Sequence, residues 1–140
     1  MNNIIYFISG HRNITDDEFN DNYVKRFIEI ESRWHEGDIS EEFAPRYVVG
    51  DYCGVDIMSQ NYLVDILKIN PNRITVYHMF NKPRNINPKI HNVIGGFRTD
   101  EERDAEMTWN STEDIAFVRD HLKLGGTGMN ILRRRLLKRD

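Results

Sequence analysis

Short uninterrupted apolar runs alternate along this chain with stretches whose apolar residues recur at helical spacing, and few folds accommodate that alternation. The first run, Ile4 to Ile8 (IIYFI), has the length of a strand. Its continuous apolarity marks a strand covered on both faces, as in the centre of a parallel sheet. Thr15-Asp16-Asp17-Glu18 then has the S/T-x-x-E form of a capping box, which closes the first free N–H groups of a helix. Phe19, Tyr23, Phe27, Ile30 and Trp34 follow as one apolar stripe.

The same unit repeats. Glu36 to Pro45 is acidic, holds Gly37, ends in proline and reads as a solvated connection. Arg46 to Val49 is the second expected strand, and it runs into a loop from Gly50 to Asp56. Met58, Tyr62, Ile66 and Ile69, with Leu63 and Leu67 beside them, predict the next helix, which Asn70-Pro71-Asn72 ends. Arg73 to His78 is the third strand. Asn81 to Asn92 is too rich in proline and asparagine for a helix and is the kind of long loop that often serves as a lid or binding loop; Val93-Ile94 suits a small extra strand. Thr99 to Asn110 predicts a polar helix with Arg103, Glu106, Met107 and Asn110 on one face and Ala105, Thr108 and Trp109 roughly opposite. Ile115 to Val118 is the fourth strand. Gly125 to Gly128 then leads into a helix expected to turn Met129, Leu132 and Leu136 inward and to carry a basic end, Arg133 to Arg139.

Strands separated by helices imply right-handed crossovers, so the expected fold is α/β: a Rossmann-like three-layer sandwich around a mostly parallel sheet of four or five strands. The 140 residues suit one domain spanning 1–140, large enough to bury a core without disulfides or a structural metal. In such sheets ligands sit beyond the carboxyl ends of the strands. This collects Ser9, Gly10, His11 and Arg12, the Gly50 to Asp56 loop and the Gly125 to Gly128 loop on one edge.

Net charge removes other classes. A formal charge of −3 and a pI near 5.9 argue against a surface given over to nucleic acid, although the basic C-terminal helix leaves a local patch. Cys53 is the single cysteine, which excludes a disulfide within the chain and suits a reducing compartment. No apolar run approaches the ~20 residues of a membrane span, and the N-terminus lacks a signal-peptide pattern. A cytoplasmic protein with no membrane partner is the expectation.

Glycines before a helix leave backbone N–H groups unobstructed, and the helix N-terminus adds partial positive charge, a combination that holds phosphate. Gly50, Gly54, Gly125, Gly126, Thr127 and Gly128 fit that use, and ordinary turn glycines are the alternative. Arg103 and Glu106, one turn apart, form either a solvated ion pair or a phosphate-binding arginine beside a carboxylate for ribose hydroxyls or glycosidic chemistry. Asp51 is a second carboxylate at the same edge. Asp56 is another, or else the N-cap of its helix. His11 could donate to phosphate or exchange a proton. His35, His78, His91 and His121 show no metal-ligand spacing, and neither metal nor cofactor is expected. Cys53 has no evident activating partner. The first strand lacks a following GxGxxG, against an ordinary dinucleotide dehydrogenase.

Ile8-Ser9-Gly10-His11-Arg12, Gly50 with Gly54-Val55-Asp56, Arg103-Asp104-Ala105-Glu106-Met107, Asp114-Ile115-Ala116-Phe117 and Gly126-Thr127, in this order, resemble the YspA-like branch of the SLOG superfamily. That superfamily includes the lonely-guy phosphoribohydrolases and DprA. The resemblance implies a nucleotide-ligand site in which Ser9 to Arg12 form the first ligand loop and Gly50, Gly54 and Asp56 the second. Arg103 and Met107 match an R-x-x-x-M pattern whose arginine serves the site, and Gly125 to Gly128 correspond to the phosphate loop. The lonely-guy pattern continues into a catalytic glutamate, whereas Met129-Asn130-Ile131-Leu132 supplies none, and Asp104 stands where asparagine is usual. Binding of a nucleotide or nucleotide-derived ligand is therefore the first expectation. An N-glycosidase or phosphoribosyl-transfer type hydrolase of nucleoside monophosphates, using Glu106 or Asp51, is the alternative. Nucleic-acid binding through Arg133 to Arg139 stands third, and a homodimer is left open.

Overall fold

The computed structural model describes residues 3–36, 41–119 and 125–138. Among these residues, five strands and four longer helices follow in the order β1 (Ile5–Ser9), α1 (16–36), β2 (Arg46–Gly50), α2 (55–66), β3 (Ile74–Met79), β4 (Val93–Phe97), α3 (Asp100–Trp109), β5 (Glu113–Ala116) and α4 (Gly126–Lys138). The strands form one parallel sheet in the order β4-β3-β2-β1-β5. The chain therefore steps outward from β1 to β4, then returns to place β5 on the other side of β1. Two adjacent strands whose connections leave in opposite directions open a crevice at their carboxyl ends.

Alternation along the strands builds a core on each face. Tyr6, Ile8, Tyr47, Val49, Ile74 and Val76 face α1 and α2, meeting Tyr23, Phe27, Val55 and Leu63. Phe7, Val48 and Tyr77 face the opposite way, against Met107 of α3. The result is the expected three-layer α/β sandwich, with all strands parallel. The capping box forms as its sequence predicts: Thr15 Oγ1 accepts from Glu18 N–H, and Glu18 Oε1 accepts from Thr15 N–H.

Several local expectations shift. Both α1 and α2 contain a π-wound segment, Asn20–Val24 and Tyr62–Ile66. A π turn takes an extra residue, so the side chains beyond it change face. In α2 this buries Leu63 and Val64 together and leaves Ile66, expected inward, 63% exposed. The fourth expected strand begins two residues early, at Glu113, and the small extra strand extends to Phe97.

The Asn81 to Asn92 loop carries the chain from β3 to β4, packing Ile86 and Ile90 against the core where a crossover helix would lie. Asn87 fastens it to α2: its N–H donates to Gln60 Oε1, and its Nδ2 donates to Asn61 and Asp65. Those bonds fix the loop as a strap rather than a lid.

The largest departure is α4. Its buried residues are Thr127, Asn130 and Arg134, while Leu132 and Leu136, expected inward, face outward. The sheet face it covers ends in polar groups, so it is held by Arg134, which donates to the Thr108 and Ser111 carbonyls and pairs with Asp114 at 3.1 Å. In α3, Thr108 likewise lies buried beside Arg103, Asp104 and Met107 instead of opposite them.

At the other end of the sheet, Arg73 places two guanidinium nitrogens on Glu31, at 2.8 and 2.6 Å, and Tyr47 donates to the same carboxylate at 2.7 Å. Both charged side chains are buried, so removing one strands the other without water. Glu31→Ala is expected to lower the unfolding free energy by about 3–5 kcal/mol in urea titrations.

Candidate functional site

Beyond the carboxyl end of β1 lies a cleft of about 210 Å3. Its walls come from the loop after β1 (Ser9, Gly10, His11, Arg12), from Tyr52 and Asp56 at the start of α2, from Asp100, Arg103, Asp104 and Met107 of α3, and from Gly126, Thr127 and Asn130 of α4. Segments far apart in sequence meet here because the sheet order brings their strand ends together.

Tyr23 ties two strand ends together behind the first loop of the cleft. Its buried hydroxyl donates to the Ser9 carbonyl at 2.7 Å and accepts from the Phe117 N–H at 2.9 Å, joining the ends of β1 and β5. Burial raises its pKa, so it stays a neutral bridge. Gly10 packs against this hydroxyl and Val55, and a side chain there would collide with both. Arg119 adds an outer clasp, with two nitrogens on Glu18 at 2.7 Å and its N–H on His11 Nε2 at 3.1 Å. The Arg119 hydrogen bonds hold the Glu18 carboxyl down at about 2. His11, accepting at Nε2 and set edge-on to Phe117, is committed to the loop although its ring lines the cleft.

The start of α2 fixes the second wall. Gly54, not Asp56, is the N-cap, with φ of 78°, where L side chains are strained; a Cβ there would also meet the backbone of His11 and Arg12. Asp56 lies in the first turn, and its Oδ2 reaches back to accept the Tyr52 N–H at 3.0 Å. At Gly50, a Cβ would come within 2.5 Å of Asp56 Oδ2 and 2.8 Å of Arg103 Cζ, so this glycine makes room for the charges. Gly50 and Gly54 shape the cleft without lining it.

Those charges belong to one cluster, buried at Asp51, Asp56, Arg103 and Asp104 and open to solvent at Arg84 and Asp100. Asp51 is fully buried and accepts from Arg84 N–H, Nε and Nη2 and from Arg103 Nη1. Burial would raise its pKa, but the Arg84 hydrogen bonds and the two guanidinium charges hold it below the usual carboxylate range. Arg103 also donates through Nε and Nη2 to Asp104 Oδ1, and Asp100 lies 3.1 Å from its Nη1. The other oxygen of Asp104 accepts from Asn130 at 3.1 Å. Asp56 is the outlier: burial pushes its carboxyl up to about 7, against the pull of the Arg103 charge and the Tyr52 N–H, with Asp104 and Asp51 adding repulsion.

Four carboxyl groups thus face two guanidinium groups, and two site assignments change. Arg103 lines the cleft as expected, yet its donors are already spent on carboxylates. Asp51, a catalytic candidate from sequence, is a structural anchor outside the cleft lining. Glu106, the other candidate, is exposed on the far side of α3, where it accepts from Asn110, which in turn donates to Tyr77. One helical turn after Arg103 therefore leads away from the cleft.

The rim has the opposite character. Arg12 is exposed, bonded only to the Tyr52 hydroxyl at 3.4 Å, with no carboxylate partner among the described residues. The α4 hydrogen-bond ladder begins with Met129 N–H on the Gly125 carbonyl, so the N–H groups of Gly126, Thr127 and Gly128 precede it. Of the glycine loop, Gly126 and Thr127 line the cleft, and Gly125 lines an adjoining groove. Among the described residues, nothing lies within 4 Å of a Cβ placed on Gly125 or Gly126. In the cleft lining, Ser9 Oγ is buried with no hydrogen-bond partner among the described residues.

Sequence reasoning passed over Tyr52, Asp100, Asp104, Asn130 and Arg119. Asp104 alone carried a signal, as a departure from the usual asparagine, and its carboxylate is what engages both Arg103 and Asn130. Of the basic terminal run, Arg133 pairs with Glu101 and Arg134 with Asp114; Arg139 lies outside the described residues. No His, Cys, Asp or Glu group suited to a metal occurs among the described residues, and none of their helices is long and apolar enough to cross a membrane.

Asp56 supplies a stability test with a definite sign. Its folded pKa lies above the unfolded value, so its stabilising effect is present below about pH 4 and is lost as pH rises through about 7. Asn in its place still accepts from Tyr52. Asp56→Asn is expected to gain on the wild type between pH 4 and 8, by on the order of 2–4 kcal/mol at the upper end, in urea midpoints measured across that range.

No family model, curated protein or solved structure matches this chain.

Proposed function

We propose that the cleft binds a nucleotide or nucleotide-derived ligand. The observation that carries this reading is the sorting of polar groups by depth. Acceptors dominate the floor, where Asp56 and Asp104 stand with the unpartnered Ser9 hydroxyl, while free donors and a free cation occupy the rim. A ligand matching that order has hydroxyl or amino donors at one end and an anionic group at the other, as a sugar phosphate carrying a base does. The phosphate rests at the start of α4, on Gly126 and Thr127 N–H and near Arg12, where the helix dipole favours an anion. Ribose hydroxyls or a base amino group reach the floor carboxylates. The resemblance to YspA-like SLOG domains supports the same ligand class, with one amendment: Arg12, rather than Arg103, supplies the uncommitted charge.

Calorimetry with nucleoside mono- and diphosphates, ADP-ribose and NAD tests this. At least one ligand is expected to bind, with Arg12→Ala and Gly126→Val each weakening it about tenfold, roughly 1.4 kcal/mol, while thermal melting is unchanged. Folded protein that gives no heat with any of them, or binding untouched by both substitutions, defeats the proposal.

A second reading, cleavage of the N-glycosidic bond of a nucleoside monophosphate, draws on one observation: the Asp56 carboxyl of about 7 in the cleft wall. A carboxyl half-protonated near neutrality suits a general acid for the departing base. Free base released from nucleotide is then expected to fall as pH rises through 7, to vanish in Asp56→Asn and to persist in Glu106→Gln. Release that survives Asp56→Asn removes this role.

A further inference from the structure

The cleft wall holds one aromatic side chain that the phosphate and ribose contacts leave unused. Tyr52 lies in the loop from Gly50 to Asp56, half-buried, and lines the cleft. Three separate contacts fix it. Its N–H donates to Asp56 Oδ2 at 3.0 Å, its hydroxyl accepts from Arg12 Nη1 at 3.4 Å, and the Arg84 guanidinium lies over its ring, 4.8 Å from the centroid. Arg84 is itself anchored: its Nε and Nη2 donate to Asp51 at 3.2 and 2.9 Å, and Nη2 also reaches Asp100 at 2.7 Å. A ring held at its backbone, its hydroxyl and one face is ordered before any ligand arrives, so stacking on it costs little further ordering.

The two faces of that ring differ. Arg84 covers one of them and lies outside the cleft lining, whereas Tyr52 belongs to it, so the guanidinium stands behind the ring and the remaining face looks toward the cleft. The other rings of the lining offer no such surface. Phe7 is 1% exposed, and His11 accepts the Arg119 N–H at Nε2 and sits edge-on to Phe117. Around Tyr52 stand polar groups, with Arg12 at its hydroxyl and Asp56 at its backbone. A flat apolar face with a polar border matches a ligand group that is itself flat over its faces and polar around its edge. A nucleobase has that form, and its π-face stacks on an aromatic ring. A bare sugar phosphate has hydroxyls and charge but no such face.

We infer that Tyr52 is the platform on which the base of the ligand stacks, so that the cleft selects a base-bearing ligand over a bare sugar phosphate. This rests on the nucleotide reading of the cleft and adds to it the residue that recognises the base.

Calorimetry with nucleoside 5′-monophosphates and with ribose 5-phosphate tests this. The wild-type chain is expected to bind its best nucleotide about tenfold more tightly than ribose 5-phosphate. Tyr52→Leu is expected to remove that difference, weakening the nucleotide about tenfold and leaving ribose 5-phosphate unchanged, while Tyr52→Phe keeps it. The wild-type protein also carries its own readout: in proton NMR the ring current of Tyr52 moves the base protons of the bound nucleotide upfield, as it does in Tyr52→Phe and not in Tyr52→Leu. A difference that survives in folded Tyr52→Leu, a loss that falls equally on both ligands, or base protons that do not shift on the wild type overturns the inference. Nucleotide binding that depends on Arg12 and is indifferent to Tyr52 removes this inference alone, whereas folded wild-type protein that binds neither ligand removes the cleft reading with it.

Discussion

Asp51 is the residue on which the carboxyl edge of the sheet depends. It sits at the end of a central strand with no exposed surface, yet it is ionised, because Arg84 and Arg103 surround it. Arg84 arrives from the β3–β4 strap and Arg103 from α3, so one carboxylate joins three segments that the sheet alone would leave apart. Burying a single charge without partners would be prohibitive; a fully hydrogen-bonded set is tolerable and fixes geometry tightly. The conformations of the strap and of the first turn of α3 follow from that requirement.

The same cluster decides what the cleft can accept. Because Arg103 is consumed by Asp51, Asp100 and Asp104, its positive charge is offset before any ligand arrives. The proposed ligand would accordingly place hydrogen-bond donors at the floor and its anionic group at the rim, near Arg12 and the opening turn of α4. Asp56, pushed up by burial and further by Asp104 and Asp51, holds its proton to near neutral pH and so adds no full charge to the cluster. Charge balance in the interior and ligand polarity in the cleft are thus one problem.

Periodicity misled in the last helix because of polarity and in α2 because of winding. The leucines of the last helix, at helical spacing, resemble a core stripe, but the strand edge and α3 beneath that helix present Asp104, Asp114 and backbone carbonyls. Arginine and asparagine satisfy those groups, and leucine does not, so the helix turns its polar side inward. In α2 the π turn has the same effect on phase: one additional residue moves Ile66 to solvent. The pattern of residues was legible in both helices, but the partner surface and the winding were not.

The sequence alone determined the order of strands and helices, the capping box at Thr15, the parallel sheet and the edge where Ser9 to Arg12 and Gly126-Thr127 meet, because these follow from local spacing and from the handedness of crossovers. Tertiary structure alone decided which charges are free. Arg103 meets Asp51 across 52 residues and Asp51 meets Arg84 across 33, pairings that no spacing rule encodes. Glu106, close to Arg103 in sequence, is turned away from the cleft, and Asp56, read as a possible cap, becomes its titrating carboxyl. Backbone periodicity is a property of neighbours in the chain, whereas the partner of a buried charge is set by whichever distant segment the sheet brings within reach.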